Sequence, residues 1–214
     1  MSAGKRPNRR TAKPFERETR LRVIGGEWRS RVLAVAAVPG LRPTPNRVRE
    51  TLFNWLAPRL AGARCIDLFA GTGALGIEAL SRGADQAIFV ENDRRAAAAI
   101  EAALKTLGAG DRARVLQADG TDVGRHLAAT HARAPMDIVF VDPPFDAHLH
   151  GAALTGLRPL IDPHSRVYVE YPAAEEAAIT ARLAEEYEIL RQSRAAGVGY
   201  CLARIRAAGD HGAS

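Results

Sequence analysis

Apolar positions along the chain fall into short runs separated by glycine-rich or helix-patterned stretches, at the spacing of alternating strand and helix. Cys65–Phe69 (CIDLF), Gln86–Glu91 (QAIFVE), Arg114–Ala118 (RVLQA), Met136–Val141 (MDIVFV) and Arg166–Glu170 (RVYVE) each read as a strand. Ala74–Ser81, the alanine-rich Asp93–Leu107 ended by Gly108, and Thr121 to about Thr130 read as helices. Such alternation predicts an α/β fold, a mostly parallel sheet covered on both faces, with ligands at the carboxyl ends of its strands. Tyr187–Arg194 and Tyr200–Arg206 flank Ala-Ala-Gly-Val-Gly with no room for a crossover helix, so they predict an antiparallel hairpin on the sheet edge.

Upstream, Leu21–Ile24 and Trp28–Val35 surround Gly25-Gly26 and predict a second hairpin. Pro39, Gly40, Pro43 and Pro45 then interrupt regular structure, and Thr44 or Asn46 is placed to cap a helix over Arg47–Ala57. Residues 1–20 are basic, proline-bearing and nearly free of apolar side chains, a composition that cannot offset its own ordering entropy. The expected organisation is a disordered basic tail (1–20), a hairpin and helix (21–57), a main domain (58–207) and a short disordered tail (208–214).

Charge sharpens this picture. Residues 1–49 hold 13 Lys/Arg against three acids, whereas the remaining 165 hold 17 against 21, so the net +6 belongs to the first quarter of the chain. A basic arm on a mildly acidic body suits a polyanionic partner. Cys65 and Cys201 are far apart, lie in apolar stretches and lack zinc-ligand spacing, which suggests buried free thiols in a reducing compartment and no metal. No run of 18 apolar residues and no apolar segment behind the N-terminus occurs, so a cytoplasmic protein is expected, with no membrane contact.

Candidate chemistry sits at the predicted strand ends. Gly71-Thr72-Gly73-Ala-Leu-Gly76 leaves a strand and opens a helix, where unpaired N–H groups and absent Cβ atoms let a ligand approach. Glu91, ending the next strand, can accept both hydrogen bonds of a ribose diol. These features suit either NAD or S-adenosylmethionine. Asp67, just before the loop, would repel a pyrophosphate but can face an ammonium, which favours S-adenosylmethionine. Asp119 can accept from an adenine amine. Phe69, Thr72, Asn92 and Gly120 flank these positions, and Asp142 faces the same cofactor.

Asp142-Pro143-Pro144-Phe145 is the most specific motif. An exocyclic base amine is a poor nucleophile because its lone pair is delocalised into the ring. Acceptors from the Asp142 carboxylate and the Pro143 carbonyl can take its two N–H groups and aim the lone pair at a methyl donor. The prolines stiffen the turn, and Phe145 offers a face for an extruded base, a contact of roughly 1–3 kcal/mol. Whether Asp142 or water takes the released proton stays open.

With these pieces, Arg22-Val-Ile-Gly-Gly-Glu-Trp-Arg29-Ser-Arg31 and Arg42-Pro-Thr-Pro-Asn-Arg47-Val-Arg49-Glu50-Thr-Leu-Phe53-Asn54-Trp55-Leu56, the chain resembles the RsmD-type bacterial 16S ribosomal RNA guanine-N2 methyltransferases from about Leu21 to Arg206. The resemblance implies a Rossmann-like class I methyltransferase with a seven-stranded sheet, an antiparallel C-terminal hairpin and an N-terminal β-hairpin extension. It also implies methylation of guanine 966 of 16S ribosomal RNA, within the small subunit or its assembly intermediate; separately, a monomer is expected. Arg22, Arg29, Arg31, Arg42, Arg47 and Arg49 are then the expected RNA contacts. A DNA adenine-N6 or protein glutamine-N5 methyltransferase, and a non-catalytic RNA-binding assembly factor, are the alternatives. A nicotinamide oxidoreductase lacks an evident catalytic Tyr/Lys or His placement.

Overall fold

A computed structural model of the chain describes residues 19–36, 44–124, 127, 135–145 and 148–207. The main sheet has seven strands: β3 (Arg64–Asp67), β4 (Gln86–Glu91), β5 (Ala113–Gln117), β6 (Ile138–Val141), β7 (Arg166–Pro172), β8 (Tyr187–Ala195) and β9 (Val198–Ile205). Their spatial order is β5-β4-β3-β6-β7-β9-β8, and β9 alone runs against its neighbours. Chain order reverses between β3 and β6, so a crevice opens at their carboxyl ends. This is a Rossmann-like doubly wound fold, with the expected edge hairpin. Ala196 and Gly197, both at positive φ (54° and 81°), make its two-residue turn.

Side-chain alternation divides the core in two. Cys65, Phe89, Ile138, Phe140 and Tyr168 face α1 (Asn46–Leu60), α2 (Ala74–Ser81) and α3 (Arg94–Leu107). Ile66, Ile88, Val90, Val139, Val141, Val167 and Val169 face the other way, toward α4 (His150–Gly156) and α5 (Glu176–Glu186). Burial on both faces explains the unbroken apolar runs in the sequence. Cys65 and Cys201 are free and buried, as expected. No helix among the described residues is long and apolar enough to cross a membrane.

The N-terminal hairpin exists, but its turn differs from the expected one. β1 (Thr19–Arg22) pairs with β2 (Val32–Val35), so strand structure begins inside the stretch expected to be a disordered tail. Gly25 and Gly26 do not form a tight turn between the strands, and Trp28 is buried in the connecting loop rather than in a strand. The glycines instead let the loop dock on the end of α2: Glu27 N–H donates to Ser81 O at 2.6 Å and Trp28 N–H to Ser81 Oγ at 2.9 Å. A Cβ on Gly26 would lie 1.7 Å from Ser81 O, and Gly26 has φ +77°. Gly26→Ala is therefore expected to cost about 3 kcal/mol, combining left-handed strain with overlap, and to lower the melting temperature measurably.

The helix expected over Arg47–Ala57 runs from Asn46 to Leu60, with Pro58 accommodated in its last turn. No side chain caps its start. Asn46 Oδ1 accepts from Arg49 Nη2 instead, and Thr44 reaches elsewhere. Of the helix expected from Thr121, Val123 and Gly124 are helical, and most of the remainder lies outside the described residues. The tail 208–214 also lies outside them.

Candidate active site

Asp67 ends β3, and the glycine loop that follows is fixed by its neighbours. Leu68 N–H donates to Phe140 O, Ala70 N–H to Val90 O, and Gly73 N–H to Ala70 O at 2.6 Å. Gly71 and Gly73 hold φ of 54° and 75°, and Gly73 leads directly into α2. At Gly76 a Cβ would come 2.3 Å from the Phe89 ring, so this third glycine sets how closely α2 lies on the sheet.

Glu91 stands at the end of β4 and grips this loop. Its Oε2 accepts from Gly71 N–H and its Oε1 from Asp93 N–H, both at 2.7 Å. Each oxygen keeps one lone pair for a ligand. Asp93 caps α3 through Arg95 and Ala96 N–H, and Asn92 is exposed beside it. Asp119 is exposed, and its Oδ1 accepts from the N–H and hydroxyl of Thr121, which hold its carboxyl below the usual range. Gly120 is buried against Leu68 O, Thr72 is buried, and Phe69 packs on the second core.

Asp67 is buried. Its Oδ2 accepts from Gly76 N–H at 3.2 Å, and its Oδ1 has no partner. Burial, opposed by the Gly76 and more weakly the Phe69 N–H and reinforced by the charges of Asp142 and Glu91, pushes this carboxyl up to about 7. The folded chain therefore binds the Asp67 proton more tightly than the unfolded chain. Stability from the neutral form is complete below the unfolded value near 3.8 and declines as pH rises toward 7. Asp67→Asn is expected to flatten the fall in ligand-free melting temperature between pH 4 and 8, a component on the order of 4 kcal/mol. An unchanged pH dependence in the variant would refute this.

Asp142 follows β6 on the Phe140 face. The hydroxyl of Thr44, brought in from the segment before α1, donates to Asp142 Oδ2 at 3.2 Å. Pro143 is buried, Pro144 exposed and Phe145 half-buried at the mouth of the turn. Burial pushes the Asp142 carboxyl up, against the Thr44 hydroxyl. The structure thus gathers Asp67, Glu91 and Asp142 around the β3/β6 crevice, close enough that the other two charges are felt at Asp67.

An unpartnered buried carboxylate oxygen among like charges suits a cationic ligand. S-adenosylmethionine, with its ammonium and sulfonium, fits that donor set better than a pyrophosphate does. No group of three or more His, Cys, Asp or Glu that could hold a metal occurs among the described residues.

A family model described as conserved hypothetical protein 95 matches residues 21–203. The chain belongs to this family, the RsmD type. Ribosomal RNA small subunit methyltransferase D of Escherichia coli is 51% identical over 125 residues, 58% of this chain and 60% of that protein. The aligned stretch thus spans less than two thirds of that relative's length. The protein of the same name from Haemophilus influenzae is 40% identical over 153 residues, 70% of this chain and 78% of that one. The solved structure of yhhF from Escherichia coli superposes with a TM-score of 0.74 at 40% identity, covering 89% of this chain and 100% of that one.

In this RsmD-type chain the arginines expected to contact RNA separate into two groups. Arg22, Arg29, Arg31 and Arg47 are exposed on the hairpin and at the start of α1. Arg42 lies outside the described residues. Arg49 is corrected: it is 1% exposed, donates to Arg22 O and Asn46 Oδ1, and lies 3.5 Å from Glu78. Burial pushes its guanidinium down while Glu78 opposes that shift, so Arg49 is a structural cation rather than a phosphate contact.

Three site-relevant residues escaped the sequence reading. For Thr44 the sequence suggests only a helix cap, whereas its hydroxyl donates to Asp142. Glu78 is wholly buried under the hairpin, where it accepts from Ile24 and Gly25 N–H at 2.8 Å and from Arg82 Nε at 2.7 Å. Glu170 is a buried acid in β7. An acid closing the apolar run Arg166–Glu170 was the available signal for Glu170, and the Glu78–Arg82 spacing hinted at a pair, though not at its burial.

Proposed function

We propose that this chain transfers the methyl group of S-adenosylmethionine to the exocyclic N2 of a guanine in 16S ribosomal RNA. The substrate is the small subunit or its assembly intermediate, and the family resemblance points to guanine 966. The carrying observation is the convergence of the Asp142-Pro143-Pro144-Phe145 turn with the acid-lined glycine loop at one crevice. The names of the Escherichia coli and Haemophilus influenzae relatives support ribosomal RNA as the substrate class.

In this reading Asp67, Glu91 and Asp119 hold the cofactor, with Gly71 and Gly73 leaving room for its approach. When bound, it supplies a methyl group on a positively charged sulfur. Asp142 and the Pro143 carbonyl accept the two N–H groups of the amine and orient its lone pair, and Phe145 stacks on the base. Exposed Arg22, Arg29, Arg31 and Arg47, with Arg42, engage phosphates and fix the RNA's position without reading its sequence. The protein acts as a cytoplasmic monomer and needs no metal.

The test offers labelled S-adenosylmethionine with small ribosomal subunits, DNA and protein acceptors in parallel, followed by nucleoside analysis. N2-methylguanosine from the subunit RNA is expected. Label confined to DNA adenine or to protein would overturn the RNA reading. Absence of cofactor binding in calorimetry would favour a non-catalytic assembly role.

A further inference from the structure

Glu170 lies directly behind the catalytic turn. The parallel register of β6 and β7 pairs Phe140 with Tyr168 and Val141 with Val169. One further step sets Asp142 against Glu170, on the sheet face that carries Phe140 and Tyr168. Glu170 is 3% exposed, in a strand whose residues from Arg166 to Tyr171 are all buried.

Among the described residues, these groups face it. From its own strand, Tyr168 Oη donates to Glu170 Oε2 at 2.8 Å. From α4, His150 Nε2 lies 2.7 Å from the Glu170 carbonyl oxygen, so that ring nitrogen carries a proton and donates. From β9, Tyr200 is its cross-strand partner. From β6 comes Asp142, itself held by the Thr44 hydroxyl. Among the described residues, no cation contributes to the environment of either carboxyl.

Two carboxyls side by side, Glu170 buried and Asp142 half-buried, with no counter-charge among the described residues, do not both ionise. One keeps a proton. Burial and the Asp142 charge push Glu170 far up, against the Tyr168 hydroxyl. Asp142 is pushed up less, and the Thr44 hydroxyl favours its anion.

Resting on the methyltransferase reading above, we propose that Glu170 is a positioning residue that holds the one proton the two carboxyls share, leaving Asp142 as the single anion facing the base amine. The arrangement gives Asp142 a fixed acceptor role before transfer. It also gives the proton a destination: as the N–C bond forms and the C–S bond breaks, with its electron pair left on sulfur, the amine proton passes to Asp142. The pair is then fully neutral and returns one proton to solvent. A Glu170 anion would place a second negative charge against Asp142 and disturb the acceptor.

Side-chain carboxyl titration by carbon-13 NMR of the full chain, without cofactor or RNA, tests the proton's position. A resonance absent from E170Q should remain protonated at pH 7.5 and ionise only above it. The near-isosteric E170Q, neutral at all pH, should retain transfer within threefold of wild type at pH 7.5. It should also lack the alkaline decline in kcat that is expected of wild type as Glu170 ionises. A Glu170 resonance already ionised at pH 6, or an E170Q variant slowed a hundredfold at pH 7.5 while still folded, would overturn the proposal. The titration uses no substrate, so a wild-type chain that methylates no RNA would sink the functional reading while leaving the proton assignment to be decided by NMR.

Discussion

Asp142→Ala is expected to lower methyl transfer by about a hundred- to a thousandfold while leaving S-adenosylhomocysteine affinity within a few-fold of wild type. Its carboxylate is the acceptor that localises the amine lone pair, and loss of a single preorganised partner at a reacting atom costs roughly 10²–10³ in rate. Removal of its charge also relieves repulsion at Asp67, where the Asp142 field is felt, so cofactor binding has no reason to collapse. Asp142→Asn keeps the shape but presents an amide that can turn a donor toward the base, and should also be strongly impaired. Single-turnover transfer alongside calorimetric titration separates the two effects. An Asp142→Ala variant that loses cofactor binding but transfers at the normal rate once saturated would refute the assignment.

Glu78→Ala is expected to produce the largest loss of stability. Glu78 is the hub that joins the N-terminal hairpin to the main sheet: it accepts from Ile24 and Gly25 N–H and pairs with Arg49 and Arg82. Its removal leaves Arg49 buried without its ion-pair carboxylate, a defect of about 3–5 kcal/mol. For a chain of this size that corresponds to a fall of roughly 10 °C or more in melting temperature. The double variant E78Q/R49M, which removes both charges, should recover much of the loss, because it is the unpaired charge that costs most. A Glu78→Ala protein that melts within 2 °C of wild type would show that the hairpin docks by apolar contacts alone.

The two predictions concern parts of the molecule that differed in how readily they could be read. The α/β order was legible because strands buried on both faces leave apolar runs such as Ile138–Val141, and because Gly71, Gly73 and Gly76 are each required by backbone geometry or close packing. Gln86–Glu91 and Ala74–Ser81 coincide with their expected bounds. Helices α4 and α5 were not legible. The first has only seven residues, and Leu183 is the single fully buried side chain of the second, so neither carries a strong period.

Arg49 shows the main limit at the site. In sequence it is one basic residue among several in a proline-rich segment, and only the fold brings Glu78 against it from 29 positions away. Thr44 and Glu170 share that difficulty. Each acts on Asp142 from a distant part of the chain, 98 residues away for Thr44, and local pattern does not encode such a contact. The residues that could be named in advance follow directly from strand ends, where topology alone concentrates chemistry.

The central claim is that the glycine loop and the Asp142 turn are two halves of one site. A crystal structure with S-adenosylhomocysteine tests it most directly. The account predicts the ligand's amino end beside Asp67, its ribose on Glu91 and its sulfur facing the Asp142 carboxylate. Ligand bound away from the β3/β6 crevice, or an Asp142 side chain pointing away from the sulfur, would contradict it.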